Sequence, residues 1–217
     1  MIPAVGAEFV ARMEDVLDLY AEPHDPARPV VCFDETSEQL VAETRTPLPM
    51  APGTPERVDY EYERNGVANL FLVTEPRGAW RHVDVTDRRT KHDFARQMRD
   101  LVDRHFPDAT TIRVALDNLN THTPAALYEA FPPAEARRVL RKLEFHHTPV
   151  HGSWLNMAEL EFSLLARQCL DRRIGDRDTL ATEVAAWQAA RNEQRATIRW
   201  QFTVDDARRR LHRLYPS

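Results

Sequence analysis

The sequence predicts an α/β fold whose strand ends carry carboxylates, and three stretches predict it. Residues 111–122, TIRVALDNLNTH, pass from a strand into a polar loop. Ile112, Val114 and Leu116 alternate there with Arg113 and Ala115, the period of two expected of a strand. The apolar run stops at Asp117, and Thr123-Pro124 opens a helix, since proline's fixed φ suits a first helical turn. Residues 29–36, PVVCFDET, form a nearly continuous apolar run that also ends in acids, Asp34 and Glu35. Such a run reads as a strand buried on both faces. Between these two stretches lie strand-like segments over residues 59–87. Ligands of open α/β sheets bind beyond the carboxyl ends of the strands, so Asp34 and Asp117 mark a candidate site.

The remaining elements follow in order. Residues 7–20 place Phe9, Met13, Val16, Leu17 and Tyr20 on one helical face, the stripe of a core-packed helix. Residues 22–29 form a loop. Thr46 to Glu56 holds four prolines and a glycine and reads as an extended loop. Asn65-Gly66 between two apolar runs predicts a hairpin turn, and residues 79–87 predict a further strand. Residues 90–105 form an amphipathic helix with Phe94, Met98, Leu101 and Val102 inward. Residues 124–142 are helical and broken near Pro132-Pro133, and Leu143 to Thr148 is a short strand. Ser153 and Asn156 are candidate caps for a helix to about residue 171. Another helix runs from Asp178 to Arg195, with Leu180, Val184, Trp187 and Ala190 inward. After ATIRWQFT, a final arginine-rich helix spans Asp205 to Leu214.

The bulk numbers set outer bounds. A chain of 217 residues, 42% hydrophobic and 29% charged, has the composition of a soluble globular domain with a sizeable core. No apolar run is long enough to span a bilayer, and the amino end lacks the basic region of a secretory signal. Cys32 and Cys169 lack CxxC spacing, which argues against a zinc site or a disulfide framework and fits a reducing cytoplasm. The net charge of −5 argues against strong unaided binding to nucleic acid. It leaves metal-assisted DNA chemistry open, because a bound cation reverses the sign of its carboxylates.

Asp34, Asp117 and Glu159, the last in the opening turns of a helix, form a spaced set of acids. Hard divalent cations take oxygen ligands of this kind. A single strand-end Asp reads as a cap or turn residue; three together read as a metal set. With VCFDE, DNLNTH and HGSWLNMAELE on the page, the chain resembles the DDE transposases of bacterial insertion sequences. The resemblance is to insertion-sequence family 630, relatives of the mariner elements. That family's third acid stands in a Ser-Pro-x-Leu-Asn-Pro-x-Glu stretch, which Ser153, Leu155, Asn156 and Glu159 fit. The tail WQFTVDDARRRLHRLYP is also similar. Met157 stands where the family has proline. Between Asp117 and Glu159 lie 41 residues, against about thirty-four implied for mariner-like members, and the helix around Pro132-Pro133 absorbs the excess.

The resemblance implies an RNase H-like fold: a mixed five-stranded sheet, an antiparallel meander then parallel strands, flanked by helices. It divides the chain into an N-terminal helix and linker (1–28) and a catalytic domain with C-terminal helices (29–217). It implies metal-dependent DNA cleavage and strand transfer with two Mg²⁺ (or Mn²⁺) ions, Asp34 bridging both and Asp117 and Glu159 each holding one. Expected partners are DNA, as element ends and as target, a second copy in a homodimeric active complex, and an upstream helix-turn-helix region or reading frame. Only 33 residues precede Asp34, too few for such a reader. No membrane partner is expected, and the location is cytoplasmic, at the nucleoid when DNA-bound.

Glu161 competes with Glu159 for the third position. Two residues apart on a helix is about 200°, so they cannot share a face; the Leu-Asn-x-x-Glu match favours Glu159 and leaves Glu161 as a surface or supporting group. Asn118, His122, Asn156 and Glu35 are expected to support the acids or contact DNA. His146, His147 and His151 read as solvated loop histidines, Trp154 as core or a base-stacking platform with core favoured, and Arg208, Arg209 and Arg210 as a solvated helix face in preference to a DNA stripe. A stand-alone RNase H-like nuclease and an inactive transposase remnant are the competing functions.

Overall fold

The computed structural model describes residues 6–44 and 61–216. The proline-rich stretch from Thr46 to Glu56 lies outside them. The strands are β1 (Val30–Glu43), β2 (Tyr62–Glu75), β3 (Trp80–Thr86), β4 (Ile112–Leu116) and β5 (Leu143–His147). The α-helices are α1 (Ala7–Ala21), α2 (Lys91–Asp100), α3 (Pro124–Ala130), α4 (Pro133–Leu140), α5 (Ala158–Leu165), α6 (Arg177–Glu193) and α7 (Val204–Arg210). The strands form one sheet in the order β3-β2-β1-β4-β5. β1, β2 and β3 pair antiparallel, whereas β4 and β5 run parallel to β1. This is the mixed, RNase H-like architecture expected.

Alternation along β1 sorts its side chains between two cores. Cys32 joins a cluster with Met13, Leu17, Leu165, Val184 and Ala207, so α1, α5, α6 and α7 cover one face. Val31 and Phe33 join Phe94, Met98, Leu127 and Val139, so α2, α3 and α4 cover the other. Each buried Val, Leu, Phe or Met side chain among them stabilises by about 1.5–3 kcal/mol. α2 begins at a capping box between Thr90 and Asp93, then widens into a π-helical turn over Leu101–His105. Among the described residues no helix is long and apolar enough to cross a membrane.

Several local expectations change. Asn65-Gly66 is not a hairpin turn but lies inside β2, where the register slips between Gln39 and Val41. Gly66, at φ +103°, supplies the left-handed backbone that lets β2 carry one extra residue as a bulge. β4 does not alternate between core and solvent, because all five of its residues are buried. Arg113 is admitted by an ion pair to Glu22 and a 2.7 Å bond to the Arg28 carbonyl. Ala190 on α6 faces solvent. Edge strand β3 is capped by that helix: Gln188 Oε1 accepts from the Val83 N–H at 2.7 Å, and Asn192 Oδ1 from the Arg81 N–H at 2.9 Å. These bonds occupy amides that an open edge would expose.

Candidate active site

Asp34 does not end its strand, as the sequence suggested. β1 runs on to Glu43 because β2 continues beside it, pairing Asp34 with Leu72. What ends near Asp34 is β4, which pairs with β1 only through Val30–Arg113, Val31–Val114 and Cys32–Ala115. Two more steps of that register set Asp34 beside Asp117, the first residue past β4, with neighbouring strands about 4.8 Å apart. The crevice predicted beyond the strand ends therefore opens beside the middle of β1.

Successive side chains of a strand point to opposite faces, so Asp34 and Glu35 diverge. Asp34 follows Cys32 towards the face that α5 covers. Burial raises its pKa to about 7, and the negative charges of Asp117, Glu35 and Glu159 add to the rise against a bond from the Glu35 N–H. The two other acids of the expected set are thus near enough to be felt at Asp34. Among the described residues, no Lys, Arg or His lies within ion-pair distance of it.

Glu159 comes from the first turn of α5, and Asn156 fixes where that turn starts. Its buried amide donates to the Phe33 carbonyl at 2.9 Å, next to Asp34, while its Oδ1 accepts from the Ala158 N–H at 3.1 Å. One side chain thus accepts from the first N–H of α5 and ties the helix start to β1. Tyr20 adds a second tie from α1, donating to the Leu155 carbonyl at 2.9 Å.

Asp117 lies in an irregular loop held from several sides. Its Oδ1 accepts from the Leu119 N–H at 3.2 Å and meets His122 Nδ1 at 2.6 Å. Its carbonyl meets His147 Nδ1 at 3.1 Å. The other nitrogen of His122 lies 2.9 Å from Glu35 Oε2, a charge contact off the line of an aligned hydrogen bond. Burial pulls the His122 pKa down, but Asp117 and Glu35 outweigh it and hold the ring at about 9. Asn118 is exposed beside this loop.

The structure departs from the sequence reading in three further places. Glu161 is neither a surface group nor a neighbour of the acids: it is fully buried, with Oε1 2.8 Å from Arg191 and 3.4 Å from the equally buried Arg81. Trp154 is not core; it is 43% exposed, stacked 6.4 Å from Trp200 and edge-on to Phe202. His146 and His147 belong to β5, and His146 is bound to Asp15 and Glu144 rather than to solvent. Sequence reasoning missed Tyr20 and His147 as supports of the site, and Arg81 and Arg191 as the partners that bury Glu161. Glu161 had a legible signal, since it interrupts the stripe of Ala158 and Leu165 that α5 buries.

Among the described residues no three His, Cys, Asp or Glu side chains close into a ligand cluster. The donor set nevertheless fits hard cations. Magnesium needs only one or two carboxylates and takes its other ligands from water and phosphate. A half-buried Asp34 that feels the charges of Asp117 and Glu159 without a cationic partner is the charge deficit such an ion fills.

Known proteins share this fold. The fold is similar to the Mos1 transposase paired-end complex with left transposon end, at 17% identity and TM-score 0.58 over 88% of this chain and 57% of that one. It is similar to the Mos1 mariner paired end complex with Mn, at 16% identity and TM-score 0.56 over 86% and 56%. A pre-cleavage Mos1 transpososome matches at 13% identity and TM-score 0.57 over 99% and 66%. This chain therefore spans between 56% and 66% of the length of those three chains. No curated protein matches the sequence. Residues 29–181, well over half of the chain and the whole of the sheet, match the DDE superfamily endonuclease family, and the chain belongs to that family.

Proposed function

We propose that this chain is the catalytic domain of a DDE transposase of the insertion-sequence 630 kind. The reaction is cleavage of a DNA phosphodiester by water, followed by joining of the freed 3′-hydroxyl to target DNA. The observation that supports this reading is that half-buried Asp34 feels the negative charges of Asp117, which follows the end of β4, and of Glu159, which opens α5. Three acids facing polyanionic DNA would repel it unless cations intervene.

Asp34, Asp117 and Glu159 would hold two Mg²⁺ or Mn²⁺ ions. When bound, such ions activate the attacking oxygen and stabilise the leaving one. The protein's share is placement. In this reading β1 carries Asp34 past the last β1–β4 pair, Asp117 follows the end of β4, and Asn156 ties the start of α5, which carries Glu159, to the Phe33 carbonyl. Asn118, exposed next to Asp117, is available to a phosphate. The partners in this reading are element ends and target DNA, a second copy of the chain, and a helix-turn-helix region that finds the ends.

The test is a nicking and joining assay on purified protein with labelled element-end duplexes and Mg²⁺ or Mn²⁺. Metal-dependent nicks that disappear in Asp34→Asn, Asp117→Asn and Glu159→Gln support the reading, and joined products distinguish a transposase from a stand-alone nuclease. Nicking that survives all three substitutions would overturn it.

A further inference from the structure

We propose that His122 is a positioning residue that sets the orientation of the Asp117 carboxylate, with Glu35 as its anchor on the opposite face of β1. The proposal rests on the reading of Asp117 as a metal ligand and deepens it.

The argument starts from what holds Asp117. The residue stands past the end of β4, where the ladder no longer fixes its backbone, and its side chain is 30% exposed. Free rotation about χ1 and χ2 would spread its two oxygens over many directions, a cost that cation binding would have to meet by ordering them. Oδ1 is already committed, to the Leu119 N–H at 3.2 Å and to His122 Nδ1 at 2.6 Å. That leaves Oδ2 as the atom free to face the crevice. The Leu119 bond is a local turn contact and would move with the loop. The His122 bond is different, because the ring is fixed to the core.

Three contacts fix that ring, and it is only 1% exposed. Phe33 of β1 meets it edge-on at 5.3 Å between centroids, and Phe94 of α2 lies against it at 4.8 Å and 31°. Glu35 Oε2 stands 2.9 Å from Nε2. Phe33 and Glu35 belong to the same strand as Asp34, one residue to either side. The chain Glu35–His122–Asp117 therefore references one acid to the strand that carries the other. A carboxylate that ligates a metal is itself held by hydrogen-bond partners behind it, and loss of such a partner costs about 10–100-fold in metal affinity.

The reach of side-chain nitrogens provides the test. The amide nitrogen of asparagine is two bonds from Cβ, like histidine Nδ1, and that of glutamine is three, like Nε2. His122→Asn should keep the hydrogen bond to Asp117, and His122→Gln should lose it while reaching towards Glu35. Both empty the slot between Phe33 and Phe94, so both should lower the melting temperature alike. Mn²⁺ affinity of the folded proteins is measured by calorimetry, with Glu35→Gln in parallel. The expected result is a loss of about tenfold or more for His122→Gln, about threefold or less for His122→Asn, and an intermediate loss for Glu35→Gln. Equal losses in the two His122 variants would reduce the residue to a packing role and overturn the proposal. So would unchanged affinity in both His122→Gln and Glu35→Gln. Absence of Mn²⁺ binding by the unaltered protein would instead overturn the reading of the three acids as a metal site.

Discussion

Glu159 and Glu161 stand two residues apart on α5, about 200° around its axis, and the fold treats them in opposite ways. Glu159 is exposed, and Asp34 feels its charge. Glu161 has no exposed surface and is ion-paired with Arg81 of β3 and Arg191 of α6. One acid is available to a ligand; the other joins three elements of the scaffold. The difference teaches that an acidic residue next to a motif is assigned by what its helix face meets. Here Ala158, Glu161 and Leu165 are the buried stripe of α5, so Glu161 occupies a position that a core helix normally gives to an apolar side chain.

The largest effects should come from exchanging the two glutamates for glutamine one at a time. Glu161→Gln removes the charge that Arg81 and Arg191 share. Breaking one partner out of a buried pair costs about 3 kcal/mol or more, or roughly 6–12 °C in melting temperature for a chain of this size. Glu159→Gln should cost less than about 0.5 kcal/mol as a surface change, and relief of repulsion near Asp34 offsets part of that. Its cleavage rate should nevertheless fall more than about a hundredfold, as befits loss of a metal ligand. Thermal unfolding and a nicking assay on both variants check the pair. A stable, inactive Glu161→Gln beside an unstable, active Glu159→Gln would reverse the assignment.

A smaller effect is expected where α5 is tied down. Asn156→Ala leaves the Phe33 carbonyl without its buried donor and removes the acceptor of the Ala158 N–H. Such a loss costs about 1–3 kcal/mol in stability. Because the helix start then shifts relative to Asp34, Mn²⁺ affinity should fall as well, whereas Glu161→Gln, measured below its melting temperature, should keep it. Equal Mn²⁺ binding by Asn156→Ala and unaltered protein would show that Glu159 does not depend on this tie.

The strands of the sheet and most of the helices are legible in the sequence because each rests on local periodicity, and the end of β4 at Asp117 because the apolar run breaks there. The features that escape it depend on partners far along the chain. β1 continues past Asp34 only because β2 lies beside it. Asn65-Gly66 has turn chemistry, and nothing local distinguishes a turn from a bulge inside a longer ladder. Arg113 reads as the solvent side of β4 until Glu22 and the Arg28 carbonyl arrive to satisfy it. Trp154 reads as core, yet the C-terminal segment that carries Trp200 and Phe202 covers only part of its ring. In the site, the match at Leu155 and Asn156 selects Glu159, but the relay from Glu35 through His122 joins residues 87 positions apart and needs the folded sheet.

Metal linkage sharpens the same comparison at a lower energy. A ligand that binds only the folded state at ten times its Kd stabilises by roughly 1.4 kcal/mol, about 3–6 °C here. Mn²⁺ should raise the melting temperature of the unaltered protein and of Glu161→Gln by similar amounts. It should raise that of Glu159→Gln by distinctly less. Scans with and without Mn²⁺ check this, and a full shift in Glu159→Gln would remove that residue from the site.

The smallest effect expected concerns the residue between the two acids. Leu160 lies about 100° from each and is 46% exposed, although its apolar side chain would suit a core position. If α5 has the phase described, with Ala158, Glu161 and Leu165 inward, Leu160→Gln removes few buried contacts. Its cost should then stay within about 0.5 kcal/mol, since an isolated exposed apolar residue contributes little to folding. A rotation of the helix by one residue would bring Leu160 under the sheet and carry Glu161 out towards the acids. In that arrangement the same substitution would bury an amide and empty apolar space, at about 2–5 kcal/mol. Urea unfolding of Leu160→Gln therefore measures the phase of α5 without touching either glutamate. A small change keeps Glu159 on the ligand side, whereas a large one would exchange the two.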